Sequence, residues 1–207
     1  GTLEVVEGLP PPFEDPILHN RIVVAYLGDG KLVVSNGTVR TPGMLVGASA
    51  GQTGTLTVAG GNTSVYSNLT VGFIACTSTG IVSVTGGNLS VTNATVNAVL
   101  EVRSGTFTLS AGGTVIVDKL VITNACGHLV RTGGTLVYNQ LVLDPDLSAV
   151  GDSISNSWKQ QYGLDPFDPN LGSKDTDGDG MNNLQEYLTG TDPTNSASAF
   201  RVISVVP

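Results

Sequence analysis

Acidic residues at alternate positions near the C-terminus form the strongest chemical pattern in this chain. They open a twelve-residue segment with Gly180 at its sixth place and a glutamate at its twelfth, the spacing of a calcium-binding loop. The predicted ligands are Asp175, Asp177, Asp179, the carbonyl of Met181, Asn183 directly or through a water, and both oxygens of Glu186. Because every ligand atom is an oxygen, we expect the ion to be Ca²⁺.

The residues around this loop predict half of an EF-hand. Pro166 and Pro169 lie upstream and disfavour a long entering helix, whereas residues 182–188 form a helical pattern that stops at Gly190. The segment from Asp175 to Pro193 resembles the extracellular repeats of dockerins and thrombospondin type 3 domains, particularly those of bacterial surface proteins. That resemblance covers about a tenth of the chain and implies a calcium-stabilised extracellular module.

A degenerate companion loop precedes the acidic one. Residues 151–166 resemble the preceding repeat of the same families, but Ser148 and Val150 stand where carboxylates are expected. Asp152 and Asn156 remain as candidate ligands. We therefore expect one calcium site and a companion segment that is retained for packing. The residues expected to pack it are Trp158, Tyr162 and Leu164.

The net charge of the chain lies in its C-terminal part. From Asp144 to Phe200 there are ten acidic and two basic residues, a net charge of −8, whereas the remainder has seven of each. Without a cluster of basic residues, nucleic acid and anionic lipid are excluded as partners. No apolar run is long enough to span a bilayer, which excludes membrane insertion.

A motif of one short strand followed by glycine repeats between Gly28 and Leu143. Its copies begin at Lys31, Thr55, Ile81, Thr106 and Thr135. The first three spacings are 24, 26 and 25 residues. Strands and glycine-rich corners at this period predict a mainly β fold, a right-handed parallel β-solenoid of about five coils, joined to a small α-helical calcium-binding module. An antiparallel sandwich is the alternative.

Alternation of apolar and Thr, Ser or Asn residues predicts that each strand buries one face. The residues predicted to form one interior column are Leu56, Val82, Phe107 and Leu136. The motif resembles the "GxLTVxGG" repeats of autotransporter-like passenger regions and of large secreted proteins from environmental Gram-negative bacteria. The resemblance implies a secreted, extracellular solenoid.

The composition predicts four parts. They are an N-terminal strand or cap over 1–27, the solenoid over 28–143, the calcium-binding module over 144–198, and a C-terminal strand over 199–207. An apolar strand at a terminus either belongs to a further domain or adds to the sheet edge of a neighbouring molecule. The second case would give a head-to-tail homopolymer.

Cys76 and Cys126 lie two repeats apart, 50 residues along the chain. In a regular coil this spacing places them about 9.6 Å apart, which is too far for a disulfide. Two buried, unpaired thiols are therefore the favoured interpretation. The alternative is a disulfide, which requires that the corners at Ala75 and Ala125 bulge toward each other.

No catalytic site is expected. Glu101 and Asp118 are the one conceivable carboxylate pair, and each has a base nearby, Arg103 and Lys119 respectively, so surface ion pairing is the favoured role. The sequence therefore predicts a non-enzymatic structural subunit of an extracellular surface assembly, a filament or coat that calcium stabilises and terminal strands propagate. The alternative is a glycan- or surface-binding adhesin module of a larger secreted protein.

Overall fold

The structure is a computed structural model that describes residues 2–4 and 21–199. Its fifteen strands are β1 (Thr2–Glu4), β2 (Arg21–Val24), β3 (Gly30–Val34), β4 (Thr38–Thr41), β5 (Gly43–Val46), β6 (Thr53–Val58), β7 (Asn62–Val65), β8 (Asn68–Val71), β9 (Thr79–Val84), β10 (Gly87–Val91), β11 (Val99–Val102), β12 (Ser104–Leu109), β13 (Gly113–Ile122), β14 (Cys126–Arg131) and β15 (Thr135–Leu143). Two short helices follow, α1 (Asn156–Gln161) and α2 (Asn183–Thr189), with a 3-10 turn at Leu171–Ser173 between them.

Every strand pair in the described residues is parallel, and each strand pairs with the equivalent strand one coil away. One sheet has the order β14-β12-β9-β6-β3. The other strands form two further ladders, one that contains β10 and one that contains β11. These ladders merge into one sheet because the long strand β13 pairs with both β10 and β11, and β15 pairs with β13 along both parts. The predicted mainly β solenoid of about five coils is confirmed, and the handedness of its coil stays a prediction.

The predicted alternation decides which side chains enter the coil. In β6, Gly54, Leu56 and Val58 are buried and the residues between them are half-exposed. Equivalent residues stack from coil to coil into one apolar core that contains Leu56, Val82 and Phe107, all fully buried. One strand cannot bury its apolar face alone, so the coils stabilise one another by stacking.

One member of the predicted interior column was wrong. The column runs through Leu56, Val82 and Phe107 into Leu129, whereas Leu136 pairs with Val115 in a different ladder. The fifth copy of the motif begins a strand of the next ladder. The strand that the motif missed is β14, which contains His128 where the earlier copies have Lys31, Thr55, Ile81 and Thr106.

A ladder of glycines runs along one corner of the coil. It contains Gly30, Gly54, Gly80, Gly105 and Gly127, which are in register on adjacent strands. A Cβ atom on Gly105 would lie 1.9 Å from the carbonyl oxygen of Gly80, and the Gly105 φ of 104° is one that L side chains rarely adopt. Successive coils therefore approach this closely only because this position lacks a side chain.

Of the predicted N-terminal cap over 1–27, residues 1 and 5–20 lie outside the described residues, and the rest supplies strands that extend the solenoid ladders. β1 pairs with β4, and β2 pairs with β5. The predicted strand at the C-terminus lies outside the described residues, except for Ala199. Among the helices that the structure describes, none is long and apolar enough to cross a membrane.

Cys76 and Cys126 form a disulfide with a Cα–Cα distance of 5.3 Å, so the favoured prediction of two buried thiols was wrong. The corners of successive coils differ in length. Residues 72–78 connect β8 to β9, whereas Arg103 alone connects β11 to β12 in the next coil. The long corner reaches over the short one to Cys126, and Arg103 lies 5.8 Å from the Phe73 ring centroid. The even spacing of a regular coil therefore does not apply at this corner.

Candidate metal centre

The acidic loop lies between the 3-10 turn at Leu171–Ser173 and helix α2. The Asn182 side chain accepts from the Gln185 N–H, and the Gln185 side chain accepts from the Asn182 N–H at 2.8 Å, which forms a capping box at the start of the helix. Gly190 ends the helix in the left-handed conformation. The short turn before the loop agrees with the absence of a long entering helix predicted from the upstream prolines.

The three aspartates of the loop converge. Asp175, Asp177 and Asp179 each offer a carboxylate oxygen, and these oxygens all lie within 4.8 Å of one another. It is the only cluster of three or more potential metal-binding side chains in the part of the chain that the structure describes. Backbone N–H groups shape the loop, since Gly178 and Gly180 donate to Asp175 at 2.7 and 2.9 Å. Gly180 has a φ of 96°, as its predicted turn position requires.

Four carboxylate oxygens of this loop are buried without a hydrogen-bond partner. They are Asp177 Oδ2, Asp179 Oδ2 and both Oε atoms of Glu186. Glu186 itself is fully buried. Leaving a buried anionic oxygen unpaired costs several kcal/mol, on the order of the penalty for a lost charged hydrogen bond or more. A divalent cation would satisfy all four, so the residues present fit an oxygen-liganded ion.

The electrostatics of Glu186 agree with this geometry. Burial raises the pKa of the Glu186 carboxyl above its ordinary value, and the carboxylates of Asp177 and Asp179 raise it further. The Thr191 hydroxyl lies near enough to oppose this rise in part, but it makes no hydrogen bond of normal geometry to Glu186. Four acidic side chains thus share one small volume.

The Asn183 side chain makes two hydrogen bonds beside the loop, and its predicted ligation stays a prediction. Its Oδ1 accepts from the Thr176 hydroxyl at 2.8 Å and its Nδ2 donates to the Leu171 carbonyl at 2.9 Å, so its side chain ties the loop to the preceding turn. The N–H of Met181 donates to Asp179 Oδ1 at 2.8 Å. The coordination predicted for the Met181 carbonyl stays a prediction.

The degenerate companion loop has the same backbone design. We call residues 144–170 the first unit and residues 171–197 the second unit, because Asn156 and Asn183 lie at equivalent positions 27 residues apart. Asn156 Nδ2 donates to the Asp144 carbonyl at 2.8 Å, as Asn183 does to Leu171. Its Oδ1 accepts from the Ala149 N–H. The Asn156 side chain therefore links the two ends of its loop by hydrogen bonds, and its role as a candidate ligand stays a prediction.

The first unit joins the module to the solenoid. At the end of the coil, the N–H groups of Leu129 and Arg131 in β14 donate to the carbonyls of Ala149 and Phe167, both at 2.8 Å. Arg131 also forms an ion pair with Asp165 at 2.5 Å. The first unit thereby continues the hydrogen bonding of the strand edge.

Aromatic side chains join the two units to each other. The Trp158 ring packs edge-on against Tyr162 within the first unit and against Tyr187 of the second, with centroid distances of 5.1 and 5.5 Å. Trp158 is half-buried, whereas Ile154 and Phe167 are almost fully buried in the module. Order in the second unit is therefore coupled by direct packing to the first unit and, through it, to β14.

The two carboxylates weighed as a catalytic pair have separate partners. Glu101 forms an ion pair with Arg103 at 2.8 Å, as predicted. Asp118 instead accepts from the N–H groups of Asn93 and Ala98 at 3.0 and 3.1 Å, and it is 4% exposed. It lies at the bend of β13, between the residues that pair with β10 and those that pair with β11. The predicted pairing of Asp118 with Lys119 is replaced by this role at the bend.

The last coil presents an open strand edge beside the module. β15 pairs with β13, and no other strand of the described residues pairs with it. Its nine residues carry no charge, and Val137, Tyr138 and Val142 are 47%, 39% and 37% exposed. A groove of about 480 Å³ lies between this strand and the module, with Arg131 and Phe167 among its lining residues.

Scans of this chain against protein-family models, curated proteins and solved structures each found no significant match.

Proposed function

We propose that this chain is a non-enzymatic structural subunit of an extracellular surface assembly, a filament or coat, in which Ca²⁺ orders the module that covers the β14 edge at one end of a β-solenoid. The observation that carries the proposal is the set of four buried, unpartnered carboxylate oxygens at Asp177, Asp179 and Glu186. A solenoid end needs a cover. The module supplies one at β14, and calcium in the second unit would hold that cover in a single arrangement.

The disulfide supports an extracellular location. Disulfides persist in oxidising compartments and are rare where thiols are kept reduced. The bond between Cys76 and Cys126 joins the corner before β9 to the start of β14, so it ties together coils of the solenoid. Calcium affinity in extracellular modules is commonly about 0.1 to 1 mM, which suits a medium where the ion is plentiful.

The open edge of β15 supports self-association. Unpaired edge strands are templates for another chain unless charges, prolines or a covering segment block them. β15 has none of the first two, and its exposed apolar residues border the groove beside the module. We propose that a second copy docks a strand along this edge. We propose that this heterologous contact does not close into a ring and therefore propagates head to tail.

The first experiment tests the ion. Calorimetric titration of the chelated chain with Ca²⁺ should give one site, and saturation at about 10 mM should raise the free energy of unfolding by about 1 to 3 kcal/mol. Glu186→Gln should abolish or strongly weaken this binding. The control is Glu101→Gln, which neutralises a solenoid carboxylate outside the loop and should leave binding unchanged. Binding that survives Glu186→Gln unaltered would refute the site.

The second experiment tests assembly by electron microscopy of the chain in millimolar calcium and after chelation. Ordered fibres or sheets in calcium that fray on chelation are expected. Val137→Lys places a charge on the open edge and should block them. Ile116→Lys is the control, because Ile116 is the register neighbour of Val137 on the inner strand β13 and is similarly exposed, at 43% against 47%. Dispersed monomers of the unaltered chain in both conditions would refute self-assembly and favour an adhesin module.

A further inference from the structure

The first unit contains a buried ammonium group where the second unit has its buried glutamate. Lys159 and Glu186 are 27 residues apart and therefore equivalent in the two units. Both side chains are fully buried. Lys159 Nζ donates to Asp152 Oδ1 at 2.8 Å, and the Ser148 hydroxyl lies 3.4 Å from the same nitrogen. Lysine is almost never fully buried in proteins unless it is paired, so this position needs an explanation.

The surroundings of the ammonium reproduce the calcium loop position by position. Asp152 is equivalent to Asp179, and each has one oxygen that accepts a backbone N–H two residues on and one buried oxygen without a partner. Ser148 is equivalent to Asp175, and each accepts from the N–H of the glycine three residues on. The backbone turns are also alike.

Left-handed turn residues occupy the same places in both loops. Gly151 and Gly178 have φ values of 78° and 80°, and Ser153 has a φ of 66° where Gly180 has 96°. A serine rarely adopts a positive φ, which costs on the order of 1 kcal/mol. The first loop therefore keeps the calcium-loop path even where its sequence opposes that path.

The two loops differ in the charges of their side chains. The second loop holds four carboxylates and no base, whereas Asp152 and Lys159 give the first loop a balanced pair. A buried carboxylate needs a positive partner, which can be a metal ion or a side chain. We propose that the Lys159 ammonium is a built-in cation that takes, in the first unit, the place of the metal ion in the second, and so closes the first loop to metal.

The two units of the module are therefore stabilised by different cations. The first unit, which bonds directly to β14, is held without any ion, whereas the second unit depends on one. Chelation should therefore loosen the second unit and leave the attachment to the solenoid in place. A count of bound Ca²⁺ ions tests this proposal through the proposed calcium site of the second unit. A test of the charge pair between Asp152 and Lys159 does not depend on that site.

The first test counts Ca²⁺ ions by calorimetry. The unaltered chain should bind one. Ser148→Asp combined with Val150→Asp restores two carboxylates but leaves Lys159, so it should still bind one. Adding Lys159→Glu to that pair should give two. Two ions in the variant that keeps Lys159, or one in the variant that lacks it, would overturn the proposal. No ion in the unaltered chain would overturn the calcium site instead.

The second test needs no metal and covers the case in which the multiple variants fail to fold. In chelator, Lys159→Met should lower the thermal midpoint by about 10 °C, because it leaves the largely buried Asp152 carboxylate without a positive partner. The double variant Asp152→Asn with Lys159→Met removes both charges and should recover at least half of that loss. The loss should be the same in saturating calcium. An unchanged midpoint in Lys159→Met, or no recovery in the double variant, would overturn the role of Lys159.

Discussion

Removal of the bond between Cys76 and Cys126 should cost a large share of the stability of this protein. The two cysteines are 50 residues apart, so the bond closes a loop of about that length in the unfolded chain. The loss of chain entropy for a loop of this size corresponds to about 4 kcal/mol at 25 °C. Proteins of ordinary stability unfold at a cost of about 5 to 15 kcal/mol in total.

The double variant Cys76→Ala with Cys126→Ala tests this magnitude in urea. With a slope of about 2 to 3 kcal/mol per molar urea, the midpoint should fall by about 1.3 to 2 M. Far-UV circular dichroism reports on the solenoid, and fluorescence of Trp158, the single tryptophan, reports on the module. Calcium is held constant throughout, so that ion binding does not contribute to the difference.

Reduction provides the matched control. The unaltered chain in reductant should unfold at the midpoint of the double variant, and the double variant itself should not respond to reductant. A loss below about 1 kcal/mol would refute the reasoning, because it would mean that the bond does not restrict the unfolded chain. A loss confined to the Trp158 signal would also refute it, since the bond lies within the solenoid coils.

Three further predictions concern Asp118, Gly105 and Asp168. Asp118→Ala leaves the buried Ala98 N–H and the part-buried Asn93 N–H unpaired and should cost about 2 to 4 kcal/mol in urea unfolding, with a smaller loss for Asp118→Asn. Gly105→Ala forces a side chain against the neighbouring coil and should cost about 3 kcal/mol or more, whereas Gly163→Ala, with open space around its Cβ position, should cost less. Burial opposes ionisation of Asp168, but the Lys174 ammonium, the Asn170 N–H and the Arg131 guanidinium together outweigh it and hold the pKa of that carboxyl below its ordinary value of 3.8. Its contribution is thus complete above pH 3.8 and is lost as the pH falls through the lower folded-state pKa, so the stability difference between Asp168→Asn and the unaltered chain should shrink below that pH.

The calcium pattern was predictable because its spacing is local. Asp175, Asp177, Asp179 and Glu186 belong to one loop of twelve residues, and their positions within it are set by the backbone turn at Gly180. The convergence of the three aspartates follows from that turn. The sequence did not show that the Thr176 hydroxyl would donate to the Asn183 oxygen, because that contact depends on how the two side chains pack in the folded loop.

The proposed role of Lys159 as a cation was not predicted, although the sequence contains every residue that it requires. Comparison of the two units shows lysine at the twelfth place of the first loop, where the second has glutamate. A lysine in a polar segment is ordinarily solvent-exposed, so the sequence did not indicate that the Lys159 side chain is buried. Alignment of the two units with an offset of 27 residues would have predicted it, because that alignment places Lys159 opposite Glu186.

The sequence alone determined the parallel coil, its period of 24 to 26 residues and the acidic loop, because each depends on spacings within one repeat or one turn. Only the tertiary structure decided which residues meet across coils. The bond from Cys76 to Cys126 depends on a long corner passing over the single residue Arg103, and the place of Leu129 in the core depends on where the last coil turns. These contacts depend on the lengths of several corners together, so no single repeat of the sequence specifies them.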